Sequence, residues 1–279
     1  MKKRILSFIA SFAVLSSALL LTACGHDHTF ATEWSKDATH HWHAATCEHT
    51  EEKSDYAEHV DENNDGVCDV CQHGTVAIIG ETAYSSLEAA IAAAGTDATV
   101  TLFTDIDLAT AISINKKVTI NLNGKTLTVK NDTAGDGVFM VVAGGDLTIN
   151  GNGVVNGVGN NPWNIVIYAN GGHVTINGGV YTNVGATDTT TGDADHFDVI
   201  YAKNGGTVTI NGGTFKGQTP NWLLNIYDEH RATSSIEVKG GVFEGFNPAN
   251  NAAEGAGTNF VAEGYTVQEN NNVYTVVAE

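Results

Sequence analysis

The 279 residues carry 13 Lys and Arg against 32 Asp and Glu, a net charge of −19, together with 31 Gly, 3 Pro and 4 Cys. So acidic a surface repels nucleic acid and anionic lipid and tolerates divalent cations, which excludes a nucleic-acid partner. Many glycines with few prolines point to repeated tight turns, and the length allows one large core plus a small module.

Lys2, Lys3 and Arg4 precede an apolar run from Ile5 to Leu21, the layout of a secretory signal, which is cut off and belongs to no domain. That run is short for a membrane span, and no later segment is apolar enough to be one. It ends in Leu21-Thr22-Ala23-Cys24, which resembles the lipobox of bacterial lipoproteins. The resemblance implies a lipid on Cys24 and attachment to the membrane through it, on the extracellular face. An ordinary signal peptide followed by a chance cysteine, or an uncleaved membrane anchor, is the alternative reading. Removing residues 1–23 leaves ten basic residues against all 32 acids, a net −22. With Cys24 lipidated, Cys47, Cys68 and Cys71 remain, and three cysteines cannot all pair within the chain. Metal ligation therefore outranks a disulfide framework.

Beyond a linker at 24–39, residues 40–74 form a Cys/His module. Cys68-Asp-Val-Cys71 puts two sulfurs on one tight turn, suited to a tetrahedral zinc ion, and the other ligands come from Cys47, His49, His59 or His43. A segment this polar cannot fold by burial alone, so the metal would act as its core. Gln72 separates Cys71 from His73, which excludes a haem-attachment motif. Asp61, Asn63, Asp65 and Asp69 have the spacing of the first half of a calcium loop, but Gln72 stands where a bidentate Glu belongs. An Asx-rich turn explains the same residues.

At Gly74 the composition shifts to Val, Thr, Ile, Asn and Gly, and residues 75–279 read as a second domain. The stretch Tyr84 to Gly95 predicts a helix over 85–94, with Ser85 and Glu88 as a capping box and Gly95 as its stop. Leu87, Ala90, Ile91 and Ala94 share the face that must cover something apolar.

From residue 118 a phrase recurs: Val118-Thr-Ile-Asn121, Leu147-Thr-Ile-Asn150, Val174-Thr-Ile-Asn177, Val208-Thr-Ile-Asn211 and a degenerate Ile236-Glu-Val-Lys239. Apolar residues alternate with polar ones inside each copy, which is strand periodicity, and the repeat length is that of a solenoid. Gly-Gly pairs flank the copies, a second short strand follows each, and a third precedes it, as in Phe139–Val142 and Ile165–Tyr168. Three short strands per turn, joined at glycine corners, predict an all-β coil of parallel sheets. Its alternating Val, Leu and Ile residues point inward, and Asn121, Asn150, Asn177 and Asn211 stack at one corner. An antiparallel sandwich does not account for equivalent residues at this period.

From Tyr84 onward the chain resembles the pectate-lyase-like right-handed parallel β-helix superfamily, and more narrowly the β-helix domains of gut bacterial surface lipoproteins. The resemblance rests on Ser86-Leu-Glu-Ala-Ala-Ile91, on Val118-Thr-Ile-Asn-Leu-Asn-Gly-Lys-Thr-Leu127, and on the closing Tyr265-Thr-Val267 and Tyr274-Thr-Val276. It implies that the helix caps one end of the coil and a hairpin at 264–277 the other. The preceding block, with His41-Trp-His43, Cys47-Glu-His49, His59 and Cys68-Asp-Val-Cys71, resembles a small Cys/His module of such proteins. Related modules carry Cys-x-x-Cys where this chain has Cys47-Glu-His49.

No catalytic motif of the superfamily maps onto this chain, which predicts a non-catalytic surface protein for adhesion or carbohydrate binding. The alternative is a polysaccharide lyase or glycoside hydrolase. Such an enzyme needs clustered carboxylates with a basic partner, and the one candidate set joins Asp193, Asp195, His196 and Asp198 to Arg231 and its neighbours Asp228, Glu229 and His230. Insertions at 158–163, 185–197 and 217–222 fall at equivalent places in successive turns, so they are expected side by side. Trp163 and Trp222, with Asn160, Asn161, His196 and Asn221, would then form an aromatic platform for a glycan or a cell-surface protein. Packing of each Trp under its own loop is the other reading of the same residues.

Overall fold

The computed structural model describes residues 27–130, 137–158, 165–183, 198–251, 254–255 and 257–279. The chain divides into two compact units, one of residues up to Asn63 with Cys68–His73, the other of Asn64–Val67 with Gly74–Glu279. Cys24 and the expected signal lie outside the described residues, as do Asn160, Asn161, Trp163, Asp193, Asp195 and His196. Among the described residues no helix is long and apolar enough to cross a membrane.

In the first unit β1 (Phe30–Lys36), β2 (His40–Ala45) and β3 (Lys53–Glu58) form an antiparallel sheet in that order. The expectation of a linker over 24–39 is corrected here, because β1 lies inside it. Strand alternation sends neighbouring residues of the His40-His-Trp-His43 run to opposite faces. On one, the Trp34 ring stacks on His43 at 3.9 Å and meets His41 edge-on at 4.7 Å. On the other, His40 stacks on Tyr56 at 4.6 Å and Lys53 Nζ lies 3.7 Å over Trp42.

The second unit opens with a hairpin of β4 (Ala77–Ile79) and β5 (Thr82–Tyr84), followed by α1 (Leu87–Ala93). The cap of α1 differs from the expected box. Ser86 is the N-cap, its hydroxyl accepting from Ala89 N–H at 3.0 Å, whereas Ser85 Oγ is committed to the carbonyl of Asp65 at 2.5 Å. At the other end Lys116 Nζ donates to the carbonyls of Ala92 and Ala94, doing the work expected of Gly95. Leu87, Ala90, Ile91 and Ala94 are buried, as the periodicity predicts.

The chain then runs through β6 (Thr99–Leu102), β7 (Ile106–Leu108) and β8 (Ile112–Ile114). The next turn is β9 (Lys117–Asn121), β10 (Thr126–Lys130) and β11 (Phe139–Val142), and the third β12 (Asp146–Asn150), β13 (Val154–Val158) and β14 (Ile165–Asn170). There follow β15 (His173–Ile176), β16 (Val180–Asn183) and β17 (Asp198–Lys203), then β18 (Thr207–Ile210), β19 (Thr214–Gly217) and β20 (Leu224–Ile226), and last β21 (Ser235–Val238) and β22 (Gly241–Glu244). Each triplet visits the same three sheets in the same order, and every strand from β6 to β19 pairs in parallel with the one three places on. The architecture is mostly β with long parallel sheets, compatible with a solenoid. Val118, Leu147, Val174, Val208 and Ile236 stand in one register column and are buried. Antiparallel pairing among the described strands of this unit is confined to its ends, where β4 joins β6, and β24 (Val273–Ala278) joins β22 and β23 (Tyr265–Asn270). These additions cover sheet edges that would otherwise template further strands.

Two columns lock the register, one at an exposed corner and one inside. Asn177 Nδ2 donates to Asn150 Oδ1 at 2.7 Å and Asn211 Nδ2 to Asn177 Oδ1 at 2.8 Å, a ladder along the coil. Inside, Tyr181, Phe215 and Phe243 stack with centroids 5.1 and 4.8 Å apart. The Gly171-Gly172 corner shows why glycine pairs recur. Gly171 holds φ at 85°, and a Cβ on Gly172 would sit 2.5 Å from Val142 O and 2.7 Å from Val141 Cγ1. Gly172→Ala must push that corner open, and we expect it to lower unfolding free energy by about 1–3 kcal/mol, the range for overpacking. Denaturant titration checks this, an unchanged midpoint counting against so tight a corner.

Candidate metal centre

Four donors converge in the first unit. The metal-ligating atoms of His41, His59, Cys68 and Cys71 all lie within 4.8 Å of one another. Zinc bond lengths of about 2.0–2.3 Å set tetrahedral donor separations of roughly 3.3–3.8 Å, so donors within 4.8 Å of one another need close only modestly to hold one ion. Cys71 Sγ is 3.4 Å from His59 Nδ1, and Cys68 Sγ is 3.9 Å from His41 Nδ1.

Local structure aims each donor. The Cys68–Cys71 turn is closed by Gln72 N–H donating to Cys68 O at 2.9 Å, with Gln72 at φ 54°, and by Cys68 N–H donating to His73 O at 2.8 Å. Cys71 N–H points at Cys68 Sγ at 3.5 Å, and Lys36 Nζ donates to Cys71 O at 3.1 Å. His59 Nε2 lies 2.9 Å from the carbonyl of Asp37, which accepts only from a protonated nitrogen. The proton therefore sits on Nε2, and the Nδ1 lone pair faces Cys71, the arrangement outer partners impose on a metal-bound imidazole. His41 comes from β2, packed under Trp34.

Proton affinities suit the same role. Burial raises the Cys68 thiol, but backbone groups at Cys71, Val60 and Val70 overcome it and bring the pKa down to about 6 from 9.0. Burial pushes the Cys71 thiol up, and the Cys68 sulfur beside it adds to the effect. Burial, then the neighbouring His59, lowers the pKa of both His41 and His73, which keeps these imidazoles neutral. One thiolate and a neutral His41 imidazole at neutral pH suit a borderline-soft divalent ion.

The expectation drew ligands from Cys47, His49, His59, Cys68 and Cys71. The structure unites His59, Cys68 and Cys71, adds His41, and places Cys47 and His49 in a separate group with His28. His43, also considered, stacks on Trp34 instead, its Nδ1 3.3 Å from Glu33 O. His41 was within reach of sequence reasoning: alternation puts it on the Trp34 face, opposite to His40. In the calcium-like stretch, Asp65 Oδ1 accepts from Val67 N–H and Asp69 Oδ2 from Glu62 N–H, both at 2.8 Å, as an Asx-rich turn requires. Neither convergent group includes Asp61, Asp65 or Asp69.

Among the described members of the charged set considered for catalysis, Asp228 and Glu229 are exposed and Asp198 alone is buried. Asp198 is fully buried, with Asn225 Nδ2 donating to its Oδ1 at 2.8 Å. Arg231 pairs with Asp228 at 2.9 Å and with the buried Glu254 at 2.6 Å. Glu254 lies 23 residues past Arg231, the last of the expected set, and no spacing along the chain joins the two. Trp222 and Asn221 lie on a 3-10 turn, Pro220–Trp222, with Trp222 half-buried and Asn221 exposed. Comparison with family models, with curated proteins and with solved structures found no match to this chain.

Proposed function

We propose that this chain is an exported, lipid-anchored, non-catalytic bacterial surface protein. In this reading a zinc-stapled spacer carries a right-handed parallel β-helix of the pectate-lyase-like type that binds carbohydrate. The right-handed sense follows from the general preference of parallel crossovers. Zinc is assigned to the His41, His59, Cys68 and Cys71 group because two sulfurs and two imidazoles, here within 4.8 Å of one another, are its preferred structural set.

One observation carries the binding role. All strands keep a single register, while the links from the second to the third sheet range from residues 109–111 to 184–197. A rigid frame with variable loops at one corner is how solenoids present a ligand face, here the one bearing Trp222 and Asn221. The acidic surface favours neutral glycans over anionic ones. A second reading, a β-helix lyase or hydrolase, draws on Asp198 and Glu254, whose raised proton affinities fit a general acid.

A glycan array combined with incubation on plant and host polysaccharides separates the two. We expect capture without release of unsaturated or reducing ends, and loss of capture at unchanged Tm in the Trp163→Ala, Trp222→Ala double variant. Released ends that vanish with Asp195→Ala or Arg231→Ala would establish the enzyme instead. A large fall in Tm with no glycan captured would assign the tryptophans to packing.

A further inference from the structure

The group formed by His28, Cys47 and His49 is independent of the four-donor centre. Its three donor atoms lie within 4.8 Å of one another, and all three residues are half-buried. Strand register builds it. Phe30 pairs with Ala45, and the antiparallel pairing continues one step outward, where Thr46 N–H donates to Thr29 O at 2.7 Å and the two threonine hydroxyls meet at 2.7 Å. The next step outward sets His28 opposite Cys47, and Cys47 Sγ lies 3.4 Å from His28 Nδ1. His49 enters from the turn into β3, a turn closed by Ala45 N–H donating to Glu52 O and Glu52 N–H to His49 O, each at 3.2 Å. Its ring stands edge-on to His28, centroids 5.3 Å apart.

We propose that His28, Cys47 and His49 form a second metal site, taking a zinc-like divalent ion through one thiolate and two imidazoles, with a fourth position open to solvent. Three protein donors plus water is the arrangement of an open zinc site, whereas four protein donors close one. Fewer donors and partial exposure make this ion the weaker and the faster to exchange. The open position accepts an external nitrogen, sulfur or oxygen donor, so the module can bind a ligand through its metal. The inference stands on its own residues and does not require the four-donor centre to be filled.

The test is zinc stoichiometry, by competition with a chromophoric chelator, on the full chain carrying Cys24→Ser to remove the remaining thiol. Two ions of unequal affinity are expected in this parent. Cys47→Ser and His28→Ala should each lose the weaker ion with unchanged far-UV circular dichroism, and Cys68→Ser the tighter one. With cobalt in place of zinc, Cys47→Ser should remove about one third of the thiolate charge-transfer absorbance, one of three bound sulfurs. A single ion that survives Cys47→Ser, or two that both survive it, overturns this site and leaves the four-donor centre standing. A single ion lost with Cys47→Ser but kept in Cys68→Ser supports this site and overturns the other. No ion at all ends both.

Discussion

Stripping zinc with a strong chelator is expected to unfold the first unit while the second keeps its structure. Among the described residues of the first unit, those fully buried are His41, Cys68 and Cys71, all three in the four-donor group. Of its large apolar side chains, Phe30, Tyr56, Val60 and Val70 are exposed and Trp34 and Trp42 only half-buried. A unit of this size cannot offset its chain entropy with so little hydrocarbon. On the proposed reading a bound ion supplies the difference, and structural zinc contributes on the order of 10–16 kcal/mol in small modules at neutral pH. Hydrogen exchange would show amides of β1 to β3 losing protection on chelation, with those of β9, β12 and β15 unchanged. Cys68→Ser should lower the protection of β1 to β3 without abolishing it, because the remaining donors cannot close the tetrahedron while an ion on His28, Cys47 and His49 still ties the ends of β1 and β2 together. Undiminished protection in β1 to β3 after chelation would mean that the sheet holds itself, and the zinc core would have to be abandoned.

The coil was legible where chemistry repeats. The Val-Thr-Ile-Asn phrases alternate with period two, so burial on one face fixed both the strands and their register. The Asn150, Asn177 and Asn211 ladder followed from equivalence alone. The turn of β6, β7 and β8 was not read, because it lacks the glycine corners and the phrase that mark its successors. The module was legible only in its donors. Spacing along the chain places Cys68 and Cys71 together because one tight turn joins them. Which imidazoles meet them depends on antiparallel pairing, a long-range property that a list of spacings does not contain. Cys47 and His49 were therefore grouped with the wrong sulfurs, and His28 was lost in an expected linker that Trp34 turns into a strand.

Asp198→Asn is expected to stabilise the second unit at mildly alkaline pH and to flatten its stability against pH. Burial pushes the Asp198 pKa up from 3.8 to about 8; Asn225 opposes the shift by donating to the carboxylate, and Glu254 adds to it by like charge. With the folded value above the unfolded one, the folded state binds the extra proton between those limits. Its contribution is fully present below about pH 4 and is lost as pH rises through about 8. Each pH unit in that window removes up to about 1.4 kcal/mol. Local opening that lets water reach the carboxylate reduces the total, leaving a loss on the order of 2–4 kcal/mol. Asparagine keeps an oxygen for Asn225 Nδ2 and cannot ionise, so the variant should gain on the parent steadily from pH 4 to pH 8 and lead most at the upper end. Glu254, raised by burial to about 6 despite Arg231, gives both proteins a residual slope of the same sign through the acidic half. The difference between two denaturation series thus isolates Asp198. Parallel curves across the whole range would show that its carboxylate is already ionised at neutral pH, and that water or a counter-charge reaches it inside the coil.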